Sequence, residues 1–246
     1  MSSTQSKPEM VFAVIAAGEG SRLKREGVSI SKPLVPIQGV PMIERLAMLA
    51  IQSGASRFCC IINEESADLK EYLIKRALPI PCQMIVKSTP SSMHSLFALA
   101  PLLKGSPFCL TTADAVFRAD EFQRYVAEAS TRTDTEGVLA ITDYIHDERP
   151  LCVEMDDQRR ILAFRDSQDG LRWATGGIYY FAPSIFDVMD QALEQGVSRL
   201  RNFLRHLLAS GYRLHGYPFS KIIDVDHISD VEAAERFLLE QSVGQT

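Results

Sequence analysis

The chain has 246 residues, of which 46% are hydrophobic and 23% charged, and its 26 Lys+Arg against 31 Asp+Glu give a net charge of −5. That balance excludes a bulk positive field of the kind that gathers nucleic acid or an anionic membrane, so neither partner is expected and any anionic ligand must be held by local cations. Five cysteines without a CxxC pair and five histidines without an HExxH pair exclude the ordinary zinc frameworks; the thiols read as buried and reduced, and the polar start "MSSTQSKPEM" carries no leader-like apolar core, which together predict a cytoplasmic protein.

In chain order, apolar runs rich in β-formers occur at "MVFAVIA", "RFCCIIN", "CQMIVK" and "PFCLTTAD". Helical patterns separate them: "PMIERLAMLAIQSGA" with Gly54 as its stop, "SADLKEYLIKRAL" and "SSMHSLFALAPLL". Runs without polar alternation, spaced by helices, mark strands buried on both faces of a parallel sheet, so the first half predicts a βαβαβα array. After Asp114 and a helix near 120–130 the spacing shortens. "EGVLAIT", "LCVEM", "RILAFRD" and "GGIYYFA" follow one another with small gaps and predict antiparallel or mixed pairing. Helices near 183–195 and 198–209, a short strand pair and a last helix over 229–241 complete the pattern. The stretch "SRLRNFLRHLLASGYRLH" reads as a helix whose arginines lie on a solvated polar face. No linker or repeat interrupts the chain, which predicts one continuous α/β domain.

The loop after the first strand decides among phosphate-binding devices. Gly18-Glu19-Gly20-Ser21-Arg22-Leu23 puts leucine where a dinucleotide fingerprint needs its third glycine, and no window supplies the G-x4-G-K-[ST] of a P-loop. What remains is a run of small residues, Ala16, Ala17, Gly18, Gly20 and Ser21, whose backbone N–H groups can approach anionic oxygens, with Arg22 and Lys32 adding fixed charge.

"AAGEGSRL", then Lys32-Pro33, then "LVPIQGVPMIE" resembles the signature of the sugar-phosphate nucleotidyltransferases. The resemblance extends to "TTADAVF", "TGGIYYF" and the closing "IIDVDHISDVEAAERFL", and Ser31 departs from it where many members have proline. It implies a single-domain three-layer α/β/α sandwich over 1–246 with a Rossmann-like, mostly parallel mixed sheet, a nucleotide-binding half about 9–115 and an acceptor-binding half about 116–240. Transfer of a nucleoside monophosphate from an NTP to a small phosphorylated acceptor (a sugar 1-phosphate, a polyol phosphate or a phosphocholine-like compound), with release of pyrophosphate, is the implied reaction. Mg2+ would be held by Asp114 and by Asp224, with Asp226 the near alternative. Arg22 would grip the β- and γ-phosphates, residues 16–21 including Glu19 would cradle them, and Lys32 would neutralise charge on the reacting phosphoryl groups.

"SSMHSL" is more similar to the N-N-x-x-S-L of relatives that cytidylylate alcohol phosphates than to the G-T-A-x-A-L of many sugar pyrophosphorylases, and Ser91 and Ser92 are the implied base or ribose contacts. The F-x-E-K-P motif of hexose-specific members is absent; "AFRDSQDG" stands there, with Asp166 as a candidate acceptor contact or a residue of a solvated turn. Gly177 would allow close approach of the acceptor or form a β-bulge, and Trp173 would stack on a ligand or serve packing. A non-catalytic nucleotide-binding regulatory domain of the same fold is the rival reading, and a homo-oligomer is left open.

Overall fold

The computed structural model describes residues 10–18, 20–146 and 149–240. Its first strand, β1 (Val11–Ala16), is buried along its whole length, as an unalternating apolar run requires. Next come a short helix α1 (Ser21–Arg25), a 3-10 turn (Lys32–Leu34), the two-residue strands β2 (Pro36–Ile37) and β3 (Val40–Pro41) paired with each other, and α2 (Met42–Gln52). Just past α2, Gly54 takes φ +77°, the left-handed conformation that stops helices and favours glycine. β4 (Arg57–Ile62), α3 (Ala67–Arg76), β5 (Cys82–Val86), α4 (Ser92–Leu103) and β6 (Phe108–Thr112) finish the alternating half. The strands lie in the order β5-β4-β1-β6, all parallel, with helices supplying the crossovers such pairing needs.

The second half holds β7 (Ala115–Val116), α5 (Ala119–Ala129), β8 (Gly137–Thr142), β9 (Cys152–Met155), β10 (Ile161–Arg165) and β11 (Trp173–Phe181). A 3-10 turn (Pro183–Val188), α6 (Met189–Glu194), α7 (Leu200–Ala209), β12 (Leu214–Pro218), β13 (Ile223–Asp224) and α8 (Ile228–Leu239) follow. β11 runs antiparallel to β6, and the sheet continues through β8 to β12. The expected short strand pair is not a hairpin: β12 joins β8 in parallel at the sheet edge, while β13 pairs with β7 beside the end of β6.

β11 starts earlier than its apolar run suggests, because residues 173–175 pair with β9 and β8 before the strand reaches β6. The change of neighbour falls at Gly176-Gly177. Gly177 has φ +73°, and the pairing with β8 shifts register between Thr175 and Tyr179, the β-bulge that the sequence leaves open. A Cβ on Gly176 would lie 2.1 Å from Ile222 Cδ1, so the glycine also lets the closing segment press against the strand.

Period-two alternation sends Phe12 and Val14 to one face of the sheet and Val11, Ala13 and Ile15 to the other. The first face packs on α2 and α5 through Leu46, Phe122 and Tyr125; the second packs on α4 and α7 through Leu96, Leu99, Phe203 and Leu207. These are the three layers. A smaller third core joins Leu23, Val35, Ile37 and Met42 from the glycine-loop region to Val116, Ile223, Val225 and Phe237, tying the start of the chain to its closing segment. Cys59, Cys60, Cys109 and Cys152 are buried and unpaired by disulfides; Cys82 is also free but exposed on edge strand β5, which corrects the expectation that all five are buried. Among the described residues no helix is long and apolar enough to cross a membrane.

Candidate active site

The carboxyl ends of the parallel strands carry the predicted site, the place where open α/β sheets present ligand-binding loops. β1 ends at buried Ala16, the chain passes through Ala17 and exposed Gly18, and Gly20 opens α1 with φ +60°. Glu19 lies outside the described residues. A Cβ on Gly20 would stand 2.8 Å from Lys32 Cβ, so both the backbone conformation and the closeness of Lys32 call for glycine there. Ser21 is the first residue of α1, and Arg22 follows it on the same short helix.

One group that supports this loop escaped the sequence reading. Asn63, buried just past β4, donates from Nδ2 toward the carbonyls of Ala17 and Gly18 at 3.5 and 3.4 Å. Its Oδ1 accepts from Ser66 Oγ at 2.7 Å and from the Glu65 N–H at 3.1 Å, which fixes the amide. The only sequence signal was a polar residue at the end of an apolar strand.

Asp114 follows β6, and the β7–β13 ladder brings Asp224 opposite Ala115. The Val225 N–H donates to the Asp114 carbonyl at 3.1 Å, which fixes the closing segment against the strand end. Carboxylate oxygens of Asp114, Asp224 and Asp226 all lie within 4.8 Å of one another. Lys32 Nζ sits among them, 2.5 Å from Asp114 Oδ2 and 2.6 Å from Asp226 Oδ1, and Arg22 Nη1 donates to Asp226 Oδ2. Asp226 is thus the carboxylate that both predicted cations share. Asp230 caps the last helix: its Oδ2 accepts from the N–H groups of Asp226 and His227 at 2.9 and 2.7 Å, which sets the start of α8.

Burial alone would drive the Lys32 ammonium toward neutrality, but the charges of Asp114 and Asp224 and its hydrogen bonds to Asp114 and Asp226 outweigh that and hold its pKa above the ordinary lysine value. Burial likewise opposes charge on Asp114, and Lys32 overcomes it, so Asp114 stays ionised below the usual carboxylate range. Asp224 moves the other way, its pKa raised well above the ordinary value by the negative charge of Asp114. As a residue it is exposed, so we assign the rise to that like charge rather than to loss of water. Asp114 Oδ1 is buried and has no hydrogen-bond partner among the described residues. A buried orphan oxygen beside two further carboxylates is a donor set that fits a hard divalent cation such as Mg2+.

The remaining predicted contacts are placed as follows. Ser91 Oγ accepts from the Arg199 N–H and Ser92 Oγ from the Leu200 N–H, each at 3.0 Å, and Ser91 also meets His94 Nδ1 at 2.9 Å. Both serines therefore bind the start of α4 to the start of α7. Trp173 is half-buried against the α4/α7 face, with the Arg172 guanidinium 4.6 Å from its ring centroid. Gly177 approaches Thr112, whose Oγ1 would stand 3.0 Å from an added Cβ. Asp166 is exposed and forms ion pairs with Arg201 at 3.2 Å and Arg205 at 2.8 Å. The α7 arginines, expected on a merely solvated face, line a groove with it.

A mixed α/β/α sheet that gathers a glycine loop, two cations and three carboxylates at the ends of its parallel strands defines the class of open α/β proteins whose loops at that edge form the ligand site. Within that class the chain belongs to the nucleotidyl transferase family, whose model matches residues 12–241. It is 24% identical over 235 residues to the bifunctional protein GlmU of Methanococcus maripaludis, covering 92% of this chain and 54% of that protein. It is 24% identical over 231 residues to the mannose-1-phosphate guanylyltransferase of Mycobacterium tuberculosis, covering 92% of this chain and 62% of that one. The chain thus spans little more than half the length of these curated relatives. Among solved structures, the inositol-1-phosphate CTP transferase from T. maritima superimposes with a TM-score of 0.81 at 16% identity, covering 97% of this chain and 98% of the other.

Proposed function

We propose that the protein is a magnesium-dependent nucleotidyltransferase, moving a nucleoside monophosphate from an NTP to a sugar or polyol phosphate. The observation that carries this reading is Lys32, seated between Asp114 and Asp226 beside Arg22, a cationic centre bordered by a cation-binding carboxylate set. An acceptor phosphate oxygen forms a bond to the α-phosphorus as the bond to the β-phosphate oxygen breaks, and pyrophosphate leaves with the electron pair. The attacking oxygen is already ionised at neutral pH, so no general base is needed.

Asp114, with Asp224 and Asp226, would hold Mg2+, which supplies charge neutralisation for the triphosphate when bound. Arg22 would grip the β- and γ-phosphates, and the N–H groups of residues 16–18, 20 and 21 would cradle them. Lys32 neutralises charge that develops on the reacting phosphoryl group, from a side chain largely shielded from water. Residues about 9–115 would serve the nucleotide and residues about 116–240 the acceptor, with Gly177 and Trp173 on the acceptor side and Ser91 and Ser92 near the base. The relatives named for mannose 1-phosphate and inositol 1-phosphate support a sugar or polyol acceptor, and free cysteines support a reducing, cytoplasmic setting.

The test is pyrophosphate release with Mg2+, crossing CTP, UTP, dTTP, GTP and ATP against hexose 1-phosphates, inositol phosphate, phosphocholine and phosphoethanolamine. Turnover of one pair that disappears in Asp114→Ala and on chelation is the expected result. Nucleotide binding without turnover on any acceptor would favour the regulatory-domain reading instead.

A further inference from the structure

Asp68 stands in the first turn of α3, outside the carboxylate set, and both of its oxygens accept from the residue that precedes Lys32. Ser31 donates to Oδ2 from its N–H at 2.8 Å and to Oδ1 from its Oγ at 2.5 Å, across 37 residues of sequence, and the Leu69 N–H adds a bond to Oδ1 at 2.8 Å. Burial opposes charge on Asp68, but the bonds from Ser31 and Leu69 outweigh it and hold its pKa below the usual carboxylate range. The clamp on Ser31 is therefore charge-assisted at neutral pH.

It meets the chain where other support is least. Ser29 and Ile30 are exposed and belong to no helix or strand. Beyond Ser31 the 3-10 turn closes on itself, with the Leu34 N–H donating to the Ser31 carbonyl at 2.8 Å and the Val35 N–H to the Lys32 carbonyl at 3.1 Å, over buried Pro33 and Val35. Ser31 thus has its N–H, hydroxyl and carbonyl all engaged. The next residue is Lys32, whose Cβ packs against Gly20 and whose ammonium reaches Asp114 and Asp226. The turn between β4 and α3 holds the other arm of the site as well, since Asn63, fixed by Ser66, bonds the carbonyls of the glycine loop.

We propose that Asp68 is a positioning residue for Lys32: through Ser31 it sets the origin of the lysine side chain against the glycine loop, so that the ammonium arrives between Asp114 and Asp226. The consequence for turnover rests on the nucleotidyltransfer reading, whereas the placement of Lys32 does not. A carboxylate in the first turn of a helix also steadies that helix, and the two effects are separable at Ser31. Its φ of −57° and ψ of 135° lie within what a proline ring allows, so Ser31→Pro restrains the backbone without Asp68 and does nothing for α3.

The test combines steady-state kinetics on the substrate pair found by pyrophosphate release with NMR of the lysine ammonium groups of the whole protein, the Lys32 signal being assigned by its loss in Lys32→Met. Asp68→Ala should lower kcat by about tenfold, leave both KM values within about twofold, and shift or broaden the Lys32 signal. Asp68→Asn, which keeps one acceptor oxygen, should lose less. Ser31→Ala should lower kcat in the wild type and add nothing in the Asp68→Ala background, because the two residues act as one unit. Ser31→Pro added to Asp68→Ala should recover most of the lost kcat and return the Lys32 signal toward its wild-type position.

An unchanged Lys32 signal in Asp68→Ala overturns the proposal, as do additive losses from Ser31→Ala and Asp68→Ala with no recovery by proline, the pattern of a carboxylate that serves α3 alone. If Asp68→Ala does not fold, Asp68→Asn and Ser31→Ala decide the matter: a moved Lys32 signal in both supports the proposal, and an unmoved one in either overturns it. Failure of the underlying reading shows separately, as no pyrophosphate release from any substrate pair while Asp68→Ala still moves the Lys32 signal.

Discussion

Lys32 Nζ lies 2.5 Å from Asp114 Oδ2 across 82 residues of sequence. The pair brings the lysine of the opening signature to the carboxylate at the end of the fourth parallel strand, and its loss should register in both activity and stability. Lys32→Met leaves the carboxylates of Asp114 and Asp226 without their shared cation. We expect nucleotidyl transfer to fall by about 10²-fold or more and unfolding free energy by about 1–3 kcal/mol. Added Mg2+ should then raise the unfolding temperature of the variant more than that of the wild type. A variant with unchanged turnover would remove Lys32 from the chemistry.

Gly20→Ala should combine two penalties. A left-handed alanine costs about 1–2 kcal/mol, and its Cβ would press on Lys32. Gly18→Ala is the control for stability, because no heavy atom lies within 4 Å of the point its methyl group would occupy. Thermal unfolding should show a clear loss for Gly20→Ala and little change for Gly18→Ala.

Asn63→Ala removes the support of the glycine loop without replacing a residue predicted to contact a ligand. It should cost about 1–3 kcal/mol through the partners it leaves unsatisfied and weaken NTP binding more than acceptor binding. Equal weakening of both substrates would show that the loop does not depend on this amide.

Glu26 joins the end of α1 to the start of α8, with His227 Nδ1 2.5 Å from Glu26 Oε1 and the Ile228 N–H 2.8 Å from its Oε2. The hydrogen bond that His227 donates to the Glu26 carboxylate raises the His227 pKa above its ordinary value and lowers the Glu26 pKa below its own. The histidine contribution is fully present below the unfolded histidine pKa and is lost as pH rises through the raised folded value. The Glu26 contribution is present above the unfolded glutamate pKa and is lost as pH falls through the lowered one. Stability from this pair should therefore be greatest in the mildly acidic window between them, and His227→Gln should remove the decline on its alkaline side. An identical pH–stability curve for the variant would dismiss the pair as a source of stability.

Cys82 should be the first thiol to react with iodoacetamide. It is the exposed cysteine, and the hydrogen bond from Cys60 brings its pKa down to about 7, whereas burial pushes the Cys59 thiol up to about 11. Peptide mass mapping after brief labelling at about pH 7.5, above that value and below the others, should find Cys82 modified and the other four protected until the protein unfolds.

The sequence made the first half of the fold legible because each buried strand is an unbroken apolar run followed by an amphipathic or apolar helix, and the loop chemistry of residues 16–32 is local. Asp114 and Asp224 were legible through the resemblance of the segments that contain them. The share of Asp226 in holding both Arg22 and Lys32 was not, since those contacts span 204 and 194 residues and depend on the β7–β13 ladder. The same limit hid the α7 groove: arginines at helical spacing look solvated until β10 supplies Asp166. The first residues of β11 were missed because "WAT" has no apolar alternation of its own and becomes strand only through neighbours on both sides.

The bend at Gly176-Gly177 divides β11 between two sets of obligations. Its last residues answer to β6 and β8 in the frame that carries Asp114, whereas its first residues answer to β8 and the β9–β10 hairpin. A frame and a hairpin joined at so short a hinge can diverge at different rates: the hairpin can be lengthened, trimmed or grafted from another chain while the register of β6 against β11 is untouched. The fold thus keeps a fixed chassis and an exchangeable cassette, with two glycines marking the seam.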